Sequence, residues 1–453
     1  MIAPARIAAF DILVAVSAGN VDLPTALAAS RPSLPDDRDR GLVAEIATGT
    51  LRWRAALDHL IVAFSRRAID RLDREVVEIL RLSTYQLLHL TRVPASAVVD
   101  DAVELTRRAG KRSATGFVNA ILRSVSRNRK ALPLPPRPES EHDRDAVLDY
   151  FSIALSHPRW LVARWYDRLG FDATERWLRY NNTPAVVTLR ANRLRFTREE
   201  LTERLAEDGV VVSPAAFAPD GLTVVSGHPL RGGGAEAGAF VVQDEASQLV
   251  ALLAGAAPGA RVLDACASPG GKATAIAAAM DDSAMLVACD VRERRVDLLR
   301  RTVVNSGAPN IRIVQSDLLH SLPFSSPFDL VFVDAPCSGL GTLRRDPDIK
   351  WRRTESDLPV LAAAALTMLQ NAAEAVTPGG RLVYATCSSE PDENEGVIDA
   401  FLATTPAFAP IDVRSSAPGV PRSLVDERGH LKTAPHRDAL DAFFGAVFER
   451  RVL

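Results

Sequence analysis

Cysteine is scarce in this chain, whose 453 residues include only Cys266, Cys289, Cys337 and Cys387. No two of them form a Cys-x-x-Cys pair, so the spacing typical of zinc sites is missing and we expect no metal centre. A disulfide framework is not expected either, because such frameworks stabilise small secreted domains. The four thiols are therefore free, and each is either a buried apolar group or a reactive one.

Long apolar runs are also missing: nowhere do about 18 apolar residues follow one another, as a transmembrane helix requires. The apolar N-terminus is interrupted by Arg6, Asp11 and Asn20. Its spacing is that of an amphipathic helix rather than of a signal peptide. We therefore predict a cytoplasmic protein. Without a heptad repeat or a long apolar edge, we expect a monomer.

Charge is unevenly distributed, although the formal net charge is only −2. Residues 1–135 contain 20 Lys and Arg against 14 Asp and Glu, whereas the remainder is acidic. A basic N-terminal region on an acidic chain favours an anionic partner such as RNA. An ordinary solvated helical surface would carry the same charges, so charge alone does not decide between the two.

The order of patterns along the chain predicts three domains and one linker. Residues 1–130 have the three- and four-residue apolar spacing of helices and predict an all-α domain. Residues 131–145, ALPLPPRPESEHDRD, are proline-rich and charged, which is typical of a linker. Residues 146–238 mix helices with short strands and predict a small α+β accessory module that faces RNA, ending in the turn RGGGAEAG (231–238). Residues 239–453 alternate strands with helices.

Five short apolar runs in this last region are rich in β-branched residues. Such runs are expected of parallel strands buried on both faces, so they predict a doubly wound α/β sheet. Each run ends in a polar or reactive residue, at the edge where ligands bind in such sheets. The runs are RVLDACA (261–267), MLVACD (285–290), IRIVQSD (311–317), DLVFVDAP (329–336) and RLVYATCS (381–388), and the residues are Asp264, Asp290, Asp317, Asp334 and Cys387.

The turn DACASPGGK (264–272) joins the first of these strands to a helix. Gly270 and Gly271 allow the backbone to approach a ligand, the helix N-terminus offers unpaired N–H groups, and Lys272 adds a cation. A P-loop would require glycine at position 266 and Ser or Thr at position 273, where this chain has Cys and Ala. A GxGxxG fingerprint is missing as well, so nucleotide hydrolysis and dinucleotide binding are disfavoured.

Two acids at neighbouring strand ends extend this turn into a candidate adenosine site. Asp290 follows Gly270 by about 20 residues, the distance at which an acid binds ribose hydroxyls. Asp317 could accept a hydrogen bond from an adenine amino group. Either acid alone is a weak signal, because Asp commonly caps the helix that follows a strand. Together with the glycine turn, they indicate a nucleoside cofactor.

The segment DAPCSGLGTLRRDPDIKW (334–351) follows the fourth strand and places Asp334 and Cys337 at the predicted site. Its second half is basic and contains Trp351, a combination that suits single-stranded nucleic acid through phosphate neutralisation and base stacking. An ordinary solvated loop is the alternative for these charges.

The segment TCSSEPDENE (386–395) follows the fifth strand. It places Cys387 at the open end of the sheet, and we expect a helix N-terminus beside it. That location stabilises a thiolate below the free thiol pKa of about 8.5. With Asp334 and Cys337 on the adjacent strand, Cys387 becomes a strong candidate nucleophile.

Together, DACASPGGK, DAPCSGLGTLRRDPDIKW and YATCSSEPDENE closely resemble the motifs of the RNA 5-methylcytosine methyltransferase family, the Sun group. The preceding VVQDEASQLVALL (241–253) resembles the lead-in of that family. The resemblance implies a class I methyltransferase fold, S-adenosyl-L-methionine as methyl donor, Cys387 as nucleophile and Cys337 as the cysteine that helps to release product. It also implies cofactor contacts from Cys266, Ala267, Ser268, Pro269, Gly270, Gly271, Lys272, Asp290, Asp317 and Asp334.

The N-terminal region is similar to NusB, an RNA-binding helical protein, in ILRLSTYQLLHL, VPASAVVDDAVELTRRAG and GFVNAILRSVSR (79–126). A NusB-like domain joined to this catalytic domain resembles the Sun/RsmB subfamily, whose members methylate a cytosine of small-subunit (16S) ribosomal RNA. Ser268 and Ala273 stand where alanine and threonine are more usual, which contacts made by the backbone should tolerate. Ala442 stands where glycine is usual, and its methyl group could alter the local turn.

The implied chemistry needs a thiolate, because C5 of cytosine is a poor nucleophile. Attack of Cys387 on C6 gives an enamine whose C5 accepts a methyl group. Asp334 could hydrogen-bond or protonate the N3 side of the base, and Cys337 could assist loss of the C5 proton and of Cys387. A base paired in a helix would first have to be unstacked, so we expect a loop as target.

Three other interpretations stay open. The chain could be an RNA-binding factor of ribosome assembly or transcription with a silent second domain, although such a domain has no chemical need of Cys387, Cys337 and Asp334. The target could be a cytosine of tRNA rather than of ribosomal RNA. A dinucleotide oxidoreductase on the same type of sheet is disfavoured by the missing GxGxxG.

Overall fold

The computed structural model describes residues 2–233 and 238–452, in which the chain forms two compact units. One unit contains the chain up to Pro184 together with Leu343–Glu355, and the other contains Ala185–Thr342 and the chain from Ser356 onward. The accessory module predicted over 146–238 is therefore divided after Pro184. Part of the turn predicted at 231–238 lies outside the described residues.

The first unit begins with an all-α region, as the apolar spacing predicts. In the helix Arg74–His89, Val76, Ile79 and Leu80 are buried at three- and four-residue spacing and pack into the core of this region. Asp22 and Asp36 begin their helices by accepting hydrogen bonds from backbone N–H groups of the first turn. The helices are Pro4–Ser17, Leu23–Ser30, Asp37–Arg52, Arg54–Ser65, Arg74–His89, Ala95–Arg108 and Thr115–Arg127.

A second group of helices follows the proline-rich stretch, which contains no helix or strand until Arg144. Trp165 is fully buried here, and its ring centroid lies 4.8 Å from that of Trp177. These helices therefore have an aromatic core of their own. They are Arg144–Asp149, which continues into the π-helical turn Tyr150–Ala154, then Arg159–Leu169 and Phe171–Asn181.

The basic segment Leu343–Glu355 completes this unit, and the prediction that it offers Lys350 to RNA is wrong. Lys350 is 1% exposed, and its Nζ donates to Arg52 O at 3.2 Å and Ser156 O at 3.1 Å. Trp351 stays partly exposed, with its indole N–H donating to a main-chain oxygen, Leu51 O, at 2.6 Å. The Lys350 ammonium in the short helix Ile349–Arg352 is therefore used inside the protein, whereas RNA binding by the rest of the segment stays a prediction.

The second unit begins with a four-stranded antiparallel sheet of β1 (Thr188–Ala191), β2 (Val211–Pro214), β3 (Gly221–Ser226) and β4 (Phe240–Val242). The strands lie in the order β2-β3-β1-β4. A helix, Arg198–Glu207, follows β1 and begins with a capping box in which Thr197 and Glu200 each bond the backbone N–H of the other. Its Leu201 and Leu205 pack on the sheet together with Leu189 and Leu222.

The five predicted apolar runs form neighbouring parallel strands of one large sheet, so the prediction of a doubly wound α/β fold is confirmed. The parallel strands are β5 Val262–Asp264, β6 Leu286–Asp290, β7 Ile311–Gln315, β8 Phe328–Asp334 and β9 Val376–Thr386. They lie side by side in the order β9-β8-β5-β6-β7. The longer helices of this region are Glu245–Leu252, Gly271–Ala279, Glu293–Ser306, Asp357–Glu374 and Glu395–Thr404.

Antiparallel strands extend the sheet beside β9, and the sequence patterns did not predict them. β12 (Phe444–Arg450) pairs with β9, and β10 (Phe408–Ile411) and the short β11 (Leu431–Lys432) pair with β12. The short helices Val413–Ser416 and Pro435–Asp438 lie between them in sequence. Within residues 2–233 and 238–452, no helix is both long and apolar enough to cross a membrane.

Candidate active site

The turn after β5 brings main chain close to a helix, as the sequence predicts. Gly270 begins the helix Gly271–Ala279 with a φ of +106°, a conformation that favours glycine. A Cβ atom at Gly270 would lie 2.9 Å from Leu299 Cδ1. The turn is fixed by Ala267 N, which donates to Cys289 O at 2.7 Å. Only glycine therefore suits this position, both for its φ and for the close approach of the Leu299 side chain.

Asp264 ends β5 and is completely buried. Neither of its carboxylate oxygens has a hydrogen-bond partner in the described chain. Burial, followed by the nearby charge of Asp334, raises the pKa of Asp264 to about 7. A buried carboxyl group without partners is costly, so these oxygens are available to a ligand that donates hydrogen bonds.

Asp290 and Asp317, the two acids predicted to bind adenosine, differ in their surroundings. Asp290 is 6% exposed, accepts from Ser268 N at 3.3 Å and forms an ion pair with Arg295 at 3.1 Å. It thus supports the glycine turn. Asp317 lies two residues beyond the end of β7, and its Oδ1 accepts from Leu319 N at 2.9 Å. A capping bond of that kind is the ordinary function of an Asp after a strand.

Lys272 and Asp334 form an ion pair across the carboxyl ends of the strands, with 2.7 Å between Nζ and Oδ2. Burial alone would lower the pKa of Lys272, but the Asp334 carboxylate outweighs it and the pKa is raised. The predicted free cation of the turn is therefore already paired with the predicted catalytic acid.

These residues surround a cavity of about 260 Å³. It combines main chain of the glycine turn, the unpartnered Asp264 carboxyl and the Asp334 end of the ion pair. Donors and acceptors beside a glycine-lined wall fit a nucleoside ligand with an amino-acid end, so the residues present fit S-adenosylmethionine. The lining residues are Val241, Val242, Gln243, Ser247, Asp264, Cys266, Ala267, Ser268, Pro269, Gly271, Lys272, Thr302 and Asp334; Asp290 and Asp317 are not among them.

Two of the four cysteines meet at the site. Cys337 Sγ lies 3.5 Å from Cys387 Sγ, and both residues are partly exposed. The hydrogen bond to Cys387, followed by burial, raises the pKa of Cys337 well above its usual range. A neutral Cys337 S–H can therefore donate to a thiolate on Cys387. Burial also raises the pKa of Cys266 well above its usual range, so that thiol stays protonated beside the cavity.

The chain after Cys387 forms a turn before its next helix. β9 ends at Thr386, and the next helix along the chain begins only at Glu395. In the intervening turn, Asn394 Nδ2 donates to Ser388 O at 3.0 Å. Lys272, in the first turn of the helix Gly271–Ala279, interacts electrostatically with Cys387. Stabilisation of a Cys387 thiolate by a helix N-terminus stays a prediction.

Gly341 packs between the main chain of Cys387 and the main chain of Ala442. It donates from N to Cys387 O at 2.9 Å and accepts at O from Ala442 N at 2.9 Å. A Cβ atom at Gly341 would lie 1.9 Å from Ala442 O, which leaves room only for hydrogen. Ala442 itself is buried and has no positive φ, so its methyl group is accommodated without backbone strain.

Sequence reasoning missed three parts of this site. Gln243 and Ser247 belong to the lead-in VVQDEASQLVALL, and they line the cavity although no role was assigned to them. Asp264 was noted only as a strand end. Glu393 lies in the acidic run after Cys387 and bonds the residues that follow both cysteines. The clustering of acids in PDENE was the available signal. Within residues 2–233 and 238–452, no three His, Cys, Asp or Glu side chains are placed to hold a metal ion.

Sequence models of three families match consecutive parts of the chain. The NusB family matches residues 3–127, and a ferredoxin-like domain of RsmF/B-type methyltransferases matches residues 157–231. The family described as 16S rRNA methyltransferase RsmB/F matches residues 251–449, which include both cysteine loops.

Individual relatives match over nearly the whole chain. The probable ribosomal RNA small subunit methyltransferase B of Bacillus subtilis is 34% identical over 414 residues, which cover 90% of each chain. Ribosomal RNA small subunit methyltransferase B of Pseudomonas putida is 35% identical over 436 residues, covering 94% of this chain and 96% of that protein. The crystal structure of PH0851 has the same fold, with a TM-score of 0.81 and 24% identity over 99% of this chain and 100% of that one.

Proposed function

The chain belongs to the ribosomal RNA small subunit methyltransferase B family, the Sun/RsmB family, and from this premise we propose its reaction. It transfers a methyl group from S-adenosylmethionine to C5 of a cytosine in small-subunit (16S) ribosomal RNA, through a covalent bond between Cys387 and C6. The observation that carries the proposal is the pair of thiols 3.5 Å apart beside the Lys272–Asp334 ion pair. A buried structural cysteine would need neither neighbour.

The cavity after β5 would hold the cofactor. The main chain of the turn from Cys266 to Gly271 would contact it, and the Asp264 carboxyl, whose oxygens are unpartnered in the described chain, would accept hydrogen bonds from it. Asp290 holds the turn in place through Ser268 N. A cofactor contact from Asp317, which does not line the cavity, is proposed only from the motif resemblance. When bound, S-adenosylmethionine supplies an electrophilic methyl group on a sulfonium centre.

Cys387 begins the reaction as a thiolate after losing its proton to water. Its sulfur forms a bond to C6, and the electron pair released from the C5–C6 double bond makes C5 nucleophilic. C5 would take the methyl group with that pair, and the bonding pair of the sulfonium would stay on sulfur, leaving S-adenosylhomocysteine. Negative charge develops on the N3 side of the ring, and Asp334 stabilises it by donating a hydrogen bond or a proton to N3. In the free site Lys272 pairs with the Asp334 carboxyl group and holds it in place.

Product release requires that C5 lose its proton and that the bond from Cys387 to C6 break. The C5 proton passes to water, its electron pair re-forms the double bond, and the Cys387 thiolate leaves with the pair of the S–C6 bond. Cys337 assists this step, either directly or through water. In the free site the pKa of Cys337 is raised, so it is neutral, and its sulfur lies within hydrogen-bonding distance of the Cys387 sulfur. Net, one methyl group replaces one proton.

The deciding experiment uses the Cys337→Ala variant. It is incubated with S-adenosylmethionine and RNA from cells lacking this gene, and the sample is examined for a protein–RNA adduct that survives denaturant. We expect an adduct, since release is blocked, and sequencing of the attached RNA identifies the cytosine. The adduct should disappear in the Cys337→Ala/Cys387→Ala double variant. Cys289→Ala, at a buried cysteine of the core, is the matched control and should accumulate none.

The possible outcomes separate the alternatives. An adduct on tRNA but not on ribosomal RNA would move the proposal to a tRNA target. Methyl transfer by the wild-type protein without an adduct in the variant would contradict the release function of Cys337. Cofactor binding without methyl transfer to any RNA or to small ribosomal subunits would favour a non-catalytic RNA-binding factor.

A further inference from the structure

One carboxylate bonds both the loop that carries Cys337 and the loop that carries Cys387. Glu393 is 1% exposed. Its Oε1 accepts from Ser338 N at 2.6 Å, and its Oε2 accepts from the hydroxyl groups of both Ser338 and Ser388. Ser338 immediately follows Cys337, and Ser388 immediately follows Cys387. A single side chain therefore bonds the residue after each of the two thiols.

Glu393 is itself firmly attached to the sheet. The Tyr384 hydroxyl, on β9, donates to Glu393 O at 2.6 Å, and Thr386 Oγ1 donates to Asn394 Oδ1 at 2.5 Å. These bonds fix the main chain that carries the carboxylate. Its position relative to β9 is thus set by bonds that do not involve its own carboxylate, so the carboxylate can act as a fixed point for both loops.

The chemistry of the three bonds requires a group that only accepts. A backbone N–H has no acceptor function, and both serine hydroxyls donate to the same side chain. An ionised carboxylate offers two accepting oxygens, whereas a glutamine offers one oxygen and an NH₂ group that donates. Such charge-assisted bonds in a buried site are stronger than neutral ones. A simple packing role would not need an acid here, since burying it carries a desolvation cost.

We propose that Glu393 is a positioning residue that sets the separation of the Cys337 and Cys387 sulfur atoms. Its catalytic consequence rests on the proposed function: with the thiols in contact, Cys337 can stabilise the Cys387 thiolate and assist its departure. Glu393 acts through Ser338 and Ser388 and does not touch the substrate. Reactive groups displaced by about 1 Å lose roughly 100-fold in rate, so a small change at Glu393 has a large effect.

The first test measures thiol separation without RNA. Diamide oxidises two neighbouring thiols to a disulfide, taking up their two electrons and two protons. The rate of Cys337–Cys387 disulfide formation is followed by peptide mass spectrometry in the full chain. We expect Glu393→Gln to slow it at least tenfold, while alkylation of Cys387 by iodoacetamide changes less than threefold. Glu395→Gln is the matched control, because Glu395 pairs with Lys432 and bonds neither serine, and it should leave both rates unchanged.

The second test measures turnover on RNA. Glu393→Gln should lower kcat at least tenfold, with KM for S-adenosylmethionine within twofold of wild type. Glu393→Gln that forms the disulfide at the wild-type rate would overturn the proposal, whatever its activity. If the disulfide forms more slowly in the variant but the wild-type protein methylates no RNA, the positioning role stands and the proposed function fails.

Two further variants keep the test valid if Glu393→Gln does not fold. Ser388→Ala removes the bond from the Ser388 hydroxyl to the Glu393 carboxylate, whereas Ser338→Ala leaves the bond from Ser338 N to that carboxylate in place. We expect slower disulfide formation in both, with the larger decrease for Ser388→Ala. Equal rates in both variants and in wild type would overturn the proposal.

Discussion

The segment 334–351 divides into two halves that serve opposite purposes. In the first half, Asp334 and Cys337 lie at the candidate site, where Asp334 has a charged partner in Lys272. In the second half, Lys350 is more deeply buried than Lys272, and it bonds uncharged oxygens. The pKa of Lys272 is raised, whereas burial lowers that of Lys350 well below its usual range. Residue type alone does not distinguish a functional lysine from a structural one; its partners do.

The largest difference in methyl transfer between the two halves of segment 334–351 is expected from substituting Asp334→Asn in the first half. Loss of the carboxylate removes the stabilisation of developing charge and the partner of Lys272, so single-turnover methyl transfer should fall at least about 100-fold. Asp348→Asn is the matched control in the second half, where Asp348 accepts from Leu23 N at 3.3 Å and pairs with Arg352. It should lower the melting temperature but leave transfer by folded protein within about threefold. Equal losses of transfer in both variants would remove the distinction.

A smaller effect, on stability alone, is expected from Lys350→Met. The substitution keeps the length of the side chain but leaves Arg52 O, Ser156 O and Asn182 Oδ1 without their donor. We expect the free energy of unfolding at pH 7 to fall by about 2 kcal/mol, measured with urea. Transfer by the folded fraction should stay within about threefold of wild type. A tenfold loss of transfer at unchanged stability would place Lys350 in the reaction instead.

The pH dependence of stability sharpens the same contrast. Because the pKa of Lys350 is lowered in the folded chain, the unfolded chain binds more protons between that value and about 10.4, and stability rises with pH across this window. Within that window, wild type should therefore gain stability relative to Lys350→Met by up to about 1.4 kcal/mol per pH unit, measured by urea unfolding at a series of pH values.

Lys272→Met provides the opposite case. The pKa of Lys272 is raised, so its contribution to stability is complete below about 10.4 and is lost only as the pH rises through the folded value. Wild type should show no gain on this variant between pH 7 and 10. A constant difference for Lys350→Met over the same range would show that Lys350 keeps an ordinary pKa.

The smallest effect is expected from Ala442→Gly, which removes the methyl group that the sequence predicts to alter the local turn. Ala442 is buried and has no positive φ, so glycine adds only freedom to the unfolded chain. Stability should fall by about 0.5–1 kcal/mol, with transfer within twofold. An increase in stability would show that the methyl group strains the contact with Gly341, and the same unfolding measurement decides.

The parts of the fold that were predicted from sequence are those written into consecutive residues. The runs around Asp264 and Asp334 could be predicted as strands because their apolar residues are adjacent in sequence. Gly270, beside Gly271, likewise predicts a tight turn from its residue type. The fate of Lys350 is different: its partner Arg52 lies 298 residues away, and no local pattern carries that information. The same holds for β12 at the sheet edge and for Glu393, whose three donors come from two separate loops.

The segment Leu343–Glu355 belongs to the first unit, although the chain before and after it belongs to the second, and this limits where the protein can be cut. A gene fragment that stops at Pro184 encodes every helix before the first strand but lacks the donors for Leu51 O, Arg52 O and Ser156 O. A fragment that starts at Ala185 retains those donors with nothing to bond. Neither half of the gene encodes a self-contained building block, so the two units must be inherited, expressed and transplanted as one piece.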